Sequence, residues 1–208
     1  MGSGADFSWG VVIPVKRLAL AKTRLSAYGD DRRQALALAF AADVVVAAAM
    51  VARVLVVTDD DRAGPVLAGL GAWVVPDDPD AGLNPALEHG AELLRSEDPG
   101  RGVAALSADL PALRAPDLAA VLRRVAPGRR GFVADRAGSG TTLLAAGPGA
   151  MLGAVYGPGS YDAHLTSGAD ALIASESVRL DVDTPQDLAD AAALGLGPHT
   201  AVLMQGLP

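Results

Sequence analysis

The stretch VKRLALAKTRL, Val15 to Leu25, holds both lysines of a chain whose 17 basic residues are otherwise all arginine. Lysine is a compact point charge with rotatable donors and arginine a rigid planar fork, so the two are not interchangeable against phosphate oxygens. Lys16, Arg17, Lys22 and Arg24 crowd together in a chain of formal net charge −7. A solvated loop balancing acidic neighbours would account for one lysine. Both lysines in one loop point to a bound polyanion such as a nucleotide triphosphate. Neither G-x-x-x-x-G-K-[ST] nor G-x-G-x-x-G occurs, so side-chain cations would replace a glycine-rich phosphate cradle.

Three aspartates offer the opposite charge. Asp109 ends the predicted fourth strand within SADLP, and Asp181 and Asp183 lie in LDVDTPQDL. Read as a strand, 177–183 alternates Val178, Leu180 and Val182 with Arg179, Asp181 and Asp183, which puts both aspartates on one face. Residues two apart on a strand are about 6.5–7 Å apart, near enough to serve shared cations. Helix capping does not need Asp183, because Thr184, Pro185 and Asp187 already form a helix start with a capping box. Carboxylates without His or Cys partners suit magnesium, which leaves positions for phosphate oxygens. Asp109, Asp181 and Asp183 are thus the predicted metal ligands. The run TDDD at 58–61 is better explained as the capped start of a helix. His89 reads as a packed helix residue, His164 as ambiguous, and His199 carries no signal.

Two glycine-rich stretches, RAGSGTTLLAAG and YGPGSYDAHL, read as loops. Gly157 and Gly159 would let backbone approach a ligand, and Ser160 would cap a short helix whose free N–H groups suit an anion. Thr141 and Thr142 would present hydroxyls to a small polar ligand. Ordinary turn chemistry explains these residues equally well.

The elements that must position these groups follow from the apolar pattern. Strands are predicted at 9–15, 53–58, 72–76, 102–109, 130–135, 141–146 and 177–183. Helices are predicted at 30–50, from about 61 to 70, at 84–96 and 116–125, from Ser160, and from Thr184. Continuous apolar strands alternating with helices predict an α/β fold with a mainly parallel sheet covered on both faces. In such sheets ligands bind beyond the carboxyl ends of the strands, which is where Lys16, Asp59, Asp109 and Asp183 fall.

With 208 residues, half of them hydrophobic, the chain can bury one core: residues 1–10 read as a flexible extension and 11–208 as a single domain. The acidic balance argues against nucleic acid or an anionic membrane as partner. No cysteine means no disulfide, thiolate zinc site or thiol nucleophile, which fits a cytoplasmic protein. The start MGSGADFS has neither the basic nor the apolar region of a secretory leader. Ala35 to Ala52 is apolar except for Asp43, and reads as a buried helix rather than a membrane span.

In order along the chain, IPVK, AKTRLS, DPDAGLNPAL, SADLP, GSGTTLL, YGPGSYDAHL and LDVDTPQDL resemble the 2-phospho-L-lactate / phosphoenolpyruvate guanylyltransferases of coenzyme F-420 biosynthesis, over about Val11 to Leu194. The resemblance implies a three-layer α/β/α sandwich with a mixed, mainly parallel, Rossmann-like sheet of the nucleotide-diphospho-sugar transferase type. It also implies GTP and a small phosphorylated acid as substrates, and magnesium held by Asp109, Asp181 and Asp183. By the same carry-over Lys16, Lys22 and Arg24 attend the GTP phosphates, with Lys16 and Asp109 as the catalytic pair. Gly82 and Asn84 would lie near the nucleoside, and Thr141, Gly157 and Ser160 would bind the acid. The alternatives are a molybdopterin or sugar-phosphate nucleotidyltransferase, and a nucleotide-binding sensor without turnover.

Overall fold

The runs GVVI, VLVV and VAAL are apolar at every position, so their strands must be covered on both faces. The computed structural model describes residues 8–78 and 80–205. Its elements are β1 (Trp9–Pro14), α1 (Asp30–Ala49), β2 (Arg53–Val57), α2 (Ala63–Gly69), β3 (Trp73–Val75), α3 (Leu83–Glu97), β4 (Gly102–Leu106), α4 (Ala115–Leu122), β5 (Arg130–Ala134), β6 (Thr141–Ala146), α5 (Ser160–Thr166), β7 (Asp170–Ala171), α6 (Glu176–Arg179), α7 (Pro185–Leu194) and α8 (Pro198–Met204). The sheet order is β3-β2-β1-β4-β6-β5-β7. From β3 to β4 the strands run parallel, β6 is antiparallel to both its neighbours, and β7 is parallel to β5.

Alternate strand residues divide between the two faces. Val11, Ile13, Val54 and Val56 pack under α1, α2 and α4, while Val12, Leu55 and Val57 pack under α3. At Gly90 of α3 an added Cβ would stand 2.6 Å from Val12 Cγ1, so the missing side chain sets how closely α3 approaches the sheet. The result is the expected three-layer α/β/α sandwich. From β1 the chain moves outward to β2 and β3, then returns to place β4 on the other side of β1. The crevice beyond the ends of β1 and β4 is therefore the topological switch point, where ligands of such sheets bind.

One strand prediction needs correcting. Segment 177–183 does not join the sheet: Glu176–Arg179 is a single helical turn, and 180–183 runs on without ladder partners. Its alternation is real, since Val178, Leu180 and Val182 are all buried. Its backbone groups, however, are engaged elsewhere. Leu180 N–H donates to Glu176 O, Val182 N–H donates to Asp109 O, and Val178 O accepts the Thr142 hydroxyl. Leu180 and Val182 join Leu25, Leu36, Phe40 and Leu188 in a separate cluster that clamps this segment between α1 and α7. The capping box at Thr184 and Asp187 forms as predicted.

β1 starts at Trp9, where the strand was predicted, so residues 9 and 10 belong to the sheet and not to the flexible extension, whose residues 1–7 lie outside the described residues. The described part of the tail after Gly195, to residue 205, is packed: buried Asp43 of α1 accepts the N–H groups of His199 and Thr200, at 2.8 and 2.9 Å, and so caps α8. No helix among the described residues is long and apolar enough to cross a membrane.

Candidate active site

The basic loop leaves β1 at Pro14 and is built of two short 3-10 turns, Leu18–Leu20 and Thr23–Tyr28, anchored by buried Leu18 and Leu25. Two side chains hold its backbone in place. Asp60 accepts the Leu18 N–H at 2.7 Å with one oxygen, and with the other caps α2 through Arg62 and Ala63 N–H. Those backbone donors and Arg62 keep the Asp60 carboxyl below the usual carboxylate range, against the opposing effect of its desolvation. Arg33, only 5% exposed, reaches from α1 to the carbonyl oxygens of Leu18, Ala19 and Ala21. The acidic run does cap a helix, as its sequence suggests, while the grip of Asp60 and Arg33 on the basic loop has no signature in the sequence. Spacing gives no sign that an arginine in DDRRQ turns inward.

The loop so held sends Lys22 inward. Lys22 adopts a left-handed backbone, φ +52°, which costs a non-glycine residue about 1–2 kcal/mol and persists only where surroundings impose it. Its ammonium donates to Asp109 Oδ2 and, at 2.7 Å, to Asp183 Oδ1, while Arg24 stands 3.6 Å from Asp183 Oδ2. The Lys22 side chain is 11% exposed. Burial alone would lower its pKa, but the two carboxylates outweigh burial and raise it. Burial likewise pushes Asp183 upward, and Lys22, with Arg24 and Lys16 beyond it, holds that carboxyl below its ordinary range. Among the described residues Asp181 has no such partner. Burial and then the charges of Asp109, Asp183 and Asp135 push it up to about 7.

Lys16, Lys22, Arg24, Asp109 and Asp183 line one cleft of about 410 Å³ at the switch point, with Leu83 at the start of α3. Gly82 and Asn84, expected near the nucleoside, flank Leu83 in the chain but are not among the residues that line the cleft. Asn84 is engaged otherwise: its amide donates to Tyr156 O at 3.0 Å and accepts Tyr156 N–H at 2.7 Å. The residues expected to bind an acid form a second group. Thr141 and Ser160 are buried, and Gly157 and Gly159 take φ values of +148° and +71°, open to glycine and strained for other residues. His164, left ambiguous by its sequence context, sits among them, fully buried and 2.9 Å from Thr141 Oγ1.

The three aspartates lie at one end of the sheet, but they do not converge on a common centre. Among the described residues no three His, Cys, Asp or Glu side chains stand at metal-binding spacing, and the Lys22 ammonium occupies the gap between Asp109 and Asp183. A cation still fits the chemistry. Asp109 Oδ1 is buried without a hydrogen-bond partner, and Asp181 is destabilised as an anion by its acidic neighbours.

This arrangement can gather a polyphosphate against cations and bring carboxylates to its edge. The family profile described as Guanylyl transferase CofC like matches residues 9–207, including the tail that the sequence motifs left out. The phosphoenolpyruvate guanylyltransferase of Thermomonospora curvata is 53% identical, across 98% of this chain and 92% of its own. That of Streptomyces coelicolor is 54% identical, across 94% and 95%. A solved structure from Desulfovibrio desulfuricans G20, assigned to the nucleotide-diphospho-sugar transferases, superposes with a TM-score of 0.71 at 17% identity, across 96% of this chain and 95% of its own. At that identity the structural likeness speaks for the fold alone, whereas the profile and the relatives speak for the family: the chain belongs to the CofC-like guanylyltransferases.

Proposed function

We propose that this protein is a cytoplasmic phosphoenolpyruvate guanylyltransferase, moving GMP from GTP to the phosphate of phosphoenolpyruvate with release of pyrophosphate, on the route to coenzyme F-420. The reading of substrate rests on the relatives' names. What carries the reading of mechanism is the single cleft in which Lys16, Lys22 and Arg24 face Asp109 and Asp183.

The chemistry asks little of proton transfer. The acceptor's phosphate oxygen attacks the α-phosphorus of GTP, a new P–O bond forms, and the bond to the β-phosphate oxygen breaks with its electron pair leaving on pyrophosphate. A phosphate monoester has a second pKa of about 6, so it is largely a dianion at neutral pH and needs no general base. The chain must instead bring two polyanions together and hold them in line. Lys16 at the exposed rim and Arg24 beside it would receive the phosphate chain, and Lys22 would offset charge from within. Asp109, Asp181 and Asp183 would hold magnesium, which when bound supplies further neutralisation of the phosphates.

The test is a turnover assay with phosphoenolpyruvate, 2-phospho-L-lactate and 3-phospho-D-glycerate, each with GTP and with ATP, with and without magnesium. Product is identified by mass and pyrophosphate is measured. Guanylylated phosphoenolpyruvate is expected as the main product. Absence of a guanylylated acid in every combination would overturn the reading, and equal use of ATP would overturn its choice of base.

A further inference from the structure

The loop that leads into Gly157 has three successive backbone N–H groups taken by side chains. Ala154 N–H donates to Glu88 Oε1 at 2.7 Å, Val155 N–H to His164 Nε2 at 3.2 Å, and Tyr156 N–H to Asn84 Oδ1 at 2.7 Å. The second of these settles where a proton sits. A backbone amide can only donate, so Nε2 of His164 is the bare, accepting nitrogen.

The ring has no room to turn. It is fully buried, edge-on to Tyr156 with centroids 5.0 Å apart, and 5.7 Å from Phe132. Burial, and then the nearby Arg130 guanidinium, push its pKa down to about 4 against a hydrogen bond to the Ser160 backbone, so the ring is neutral at pH 7. A neutral imidazole with a bare Nε2 carries its proton on Nδ1, which lies 2.9 Å from Thr141 Oγ1. Nδ1 therefore cannot accept from Thr141: its N–H donates to the hydroxyl oxygen, with the Ser160 carbonyl as a second acceptor beside it. That leaves the Thr141 hydroxyl its own proton. Among the described residues no second partner lies within hydrogen-bonding distance of this buried hydroxyl.

We propose that His164 is a positioning residue for the acceptor: by accepting from Val155 and donating to Thr141, it obliges the Thr141 hydroxyl to offer its proton to an anionic oxygen of the phospho-acid. Had the hydroxyl donated to the histidine, it would present lone pairs to an anion and repel it. A donor hydroxyl instead makes a charge-assisted hydrogen bond, one of the stronger kinds. The inference rests on the acceptor being a phospho-acid held near Thr141, Gly157 and Ser160.

Two experiments separate this inference from the reading beneath it. The chain has three histidines, so ¹⁵N-histidine labelling gives a spectrum that the His164→Gln variant assigns. At pH 7 the His164 signal is expected to show a protonated Nδ1 and a bare Nε2. A proton on Nε2, or on both nitrogens, overturns the proposal whatever the enzyme's substrate. The kinetic test uses shape. The amide nitrogen of asparagine reaches the place of Nδ1, and the amide of glutamine reaches only that of Nε2. His164→Gln is expected to raise the KM for phosphoenolpyruvate roughly ten-fold, as for a hydrogen bond to a charged group, with the KM for GTP unchanged. His164→Asn should recover most of that loss. Thr141→Val should match His164→Gln, and adding His164→Gln to Thr141→Val should change nothing further. Equal losses in the Gln and Asn variants, or a GTP KM that rises in step, would reduce His164 to packing. If neither His164 variant folds, Thr141→Ser against Thr141→Val decides, since only valine should raise the acid's KM. Wild-type protein that makes no guanylylated acid would sink the guanylyltransferase reading, while the spectrum would still decide the tautomer.

Discussion

Lys22 combines a left-handed backbone with a nearly buried ammonium, and the Asp109 and Asp183 carboxylates offset both costs. A rigid guanidinium fork cannot occupy the same gap at the same distances. Lys22→Arg is therefore expected to lower turnover ten-fold or more, or about 1.4 kcal/mol of transition-state stabilisation, in a pyrophosphate-release assay. Lys16→Arg, at the exposed rim, should lose less; equal losses would mean that depth in the cleft does not matter. The two lysines were legible in the sequence because their type contrasts with every other base in the chain. Asn84 was expected near a nucleoside, and its hydrogen bonds to the Tyr156 backbone were not legible. Its partner, the Tyr156 backbone, lies 72 positions away, and no spacing rule reports a hydrogen bond across that distance.

At the scale of elements, the basic loop is rigid because α1 and the β2–α2 turn hold it. Arg33 gathers carbonyls of Leu18, Ala19 and Ala21, and Asp60 takes the Leu18 N–H. A lysine at 33 has a single nitrogen and cannot span three carbonyls, so Arg33→Lys should release the loop while leaving the sheet intact. Amide hydrogen exchange should quicken over residues 17–25 and stay unchanged in β1, β2 and β4, and the KM for GTP should rise. Uniform quickening across the sheet would make Arg33 a general stability residue instead. Most elements were legible because apolar period and caps act locally. Segment 177–183 was not, and the reason is physical. A period of two reports which residues are buried, and Val178, Leu180 and Val182 are. It says nothing of where the backbone bonds go, and here they go to Asp109, Glu176 and Thr142.

At the scale of the whole molecule, a buried histidine and a half-buried aspartate act in opposite directions on stability. His164 titrates at about 4 in the folded chain against an ordinary 6.5, so between these values the unfolded chain binds more protons and stability rises with pH. Asp181 titrates at about 7 against an ordinary 3.8, so over nearly the same window the folded chain binds more protons and stability falls as pH rises. One fully linked proton contributes at most about 1.4 kcal/mol per pH unit, and the two slopes oppose each other. With divalent cations chelated, wild-type unfolding free energy from urea titrations is therefore expected to be nearly flat between pH 4.5 and 6.5, as far as these two groups govern it. The other shifted carboxylates, Asp60, Glu97, Asp183 and Asp190, are lowered, so their contributions are lost only as pH falls further. Each replacement should expose the slope that remains. Asp181→Asn removes the falling contribution and should leave stability rising with pH, whereas His164→Gln should leave it falling. If both variants stay as flat as the wild type, neither group is held away from its ordinary pKa. Magnesium adds a further arm. If Asp181 belongs to its site, magnesium should favour the ionised carboxylate and stabilise the wild type most near pH 7, and Asp181→Asn should abolish much of that gain.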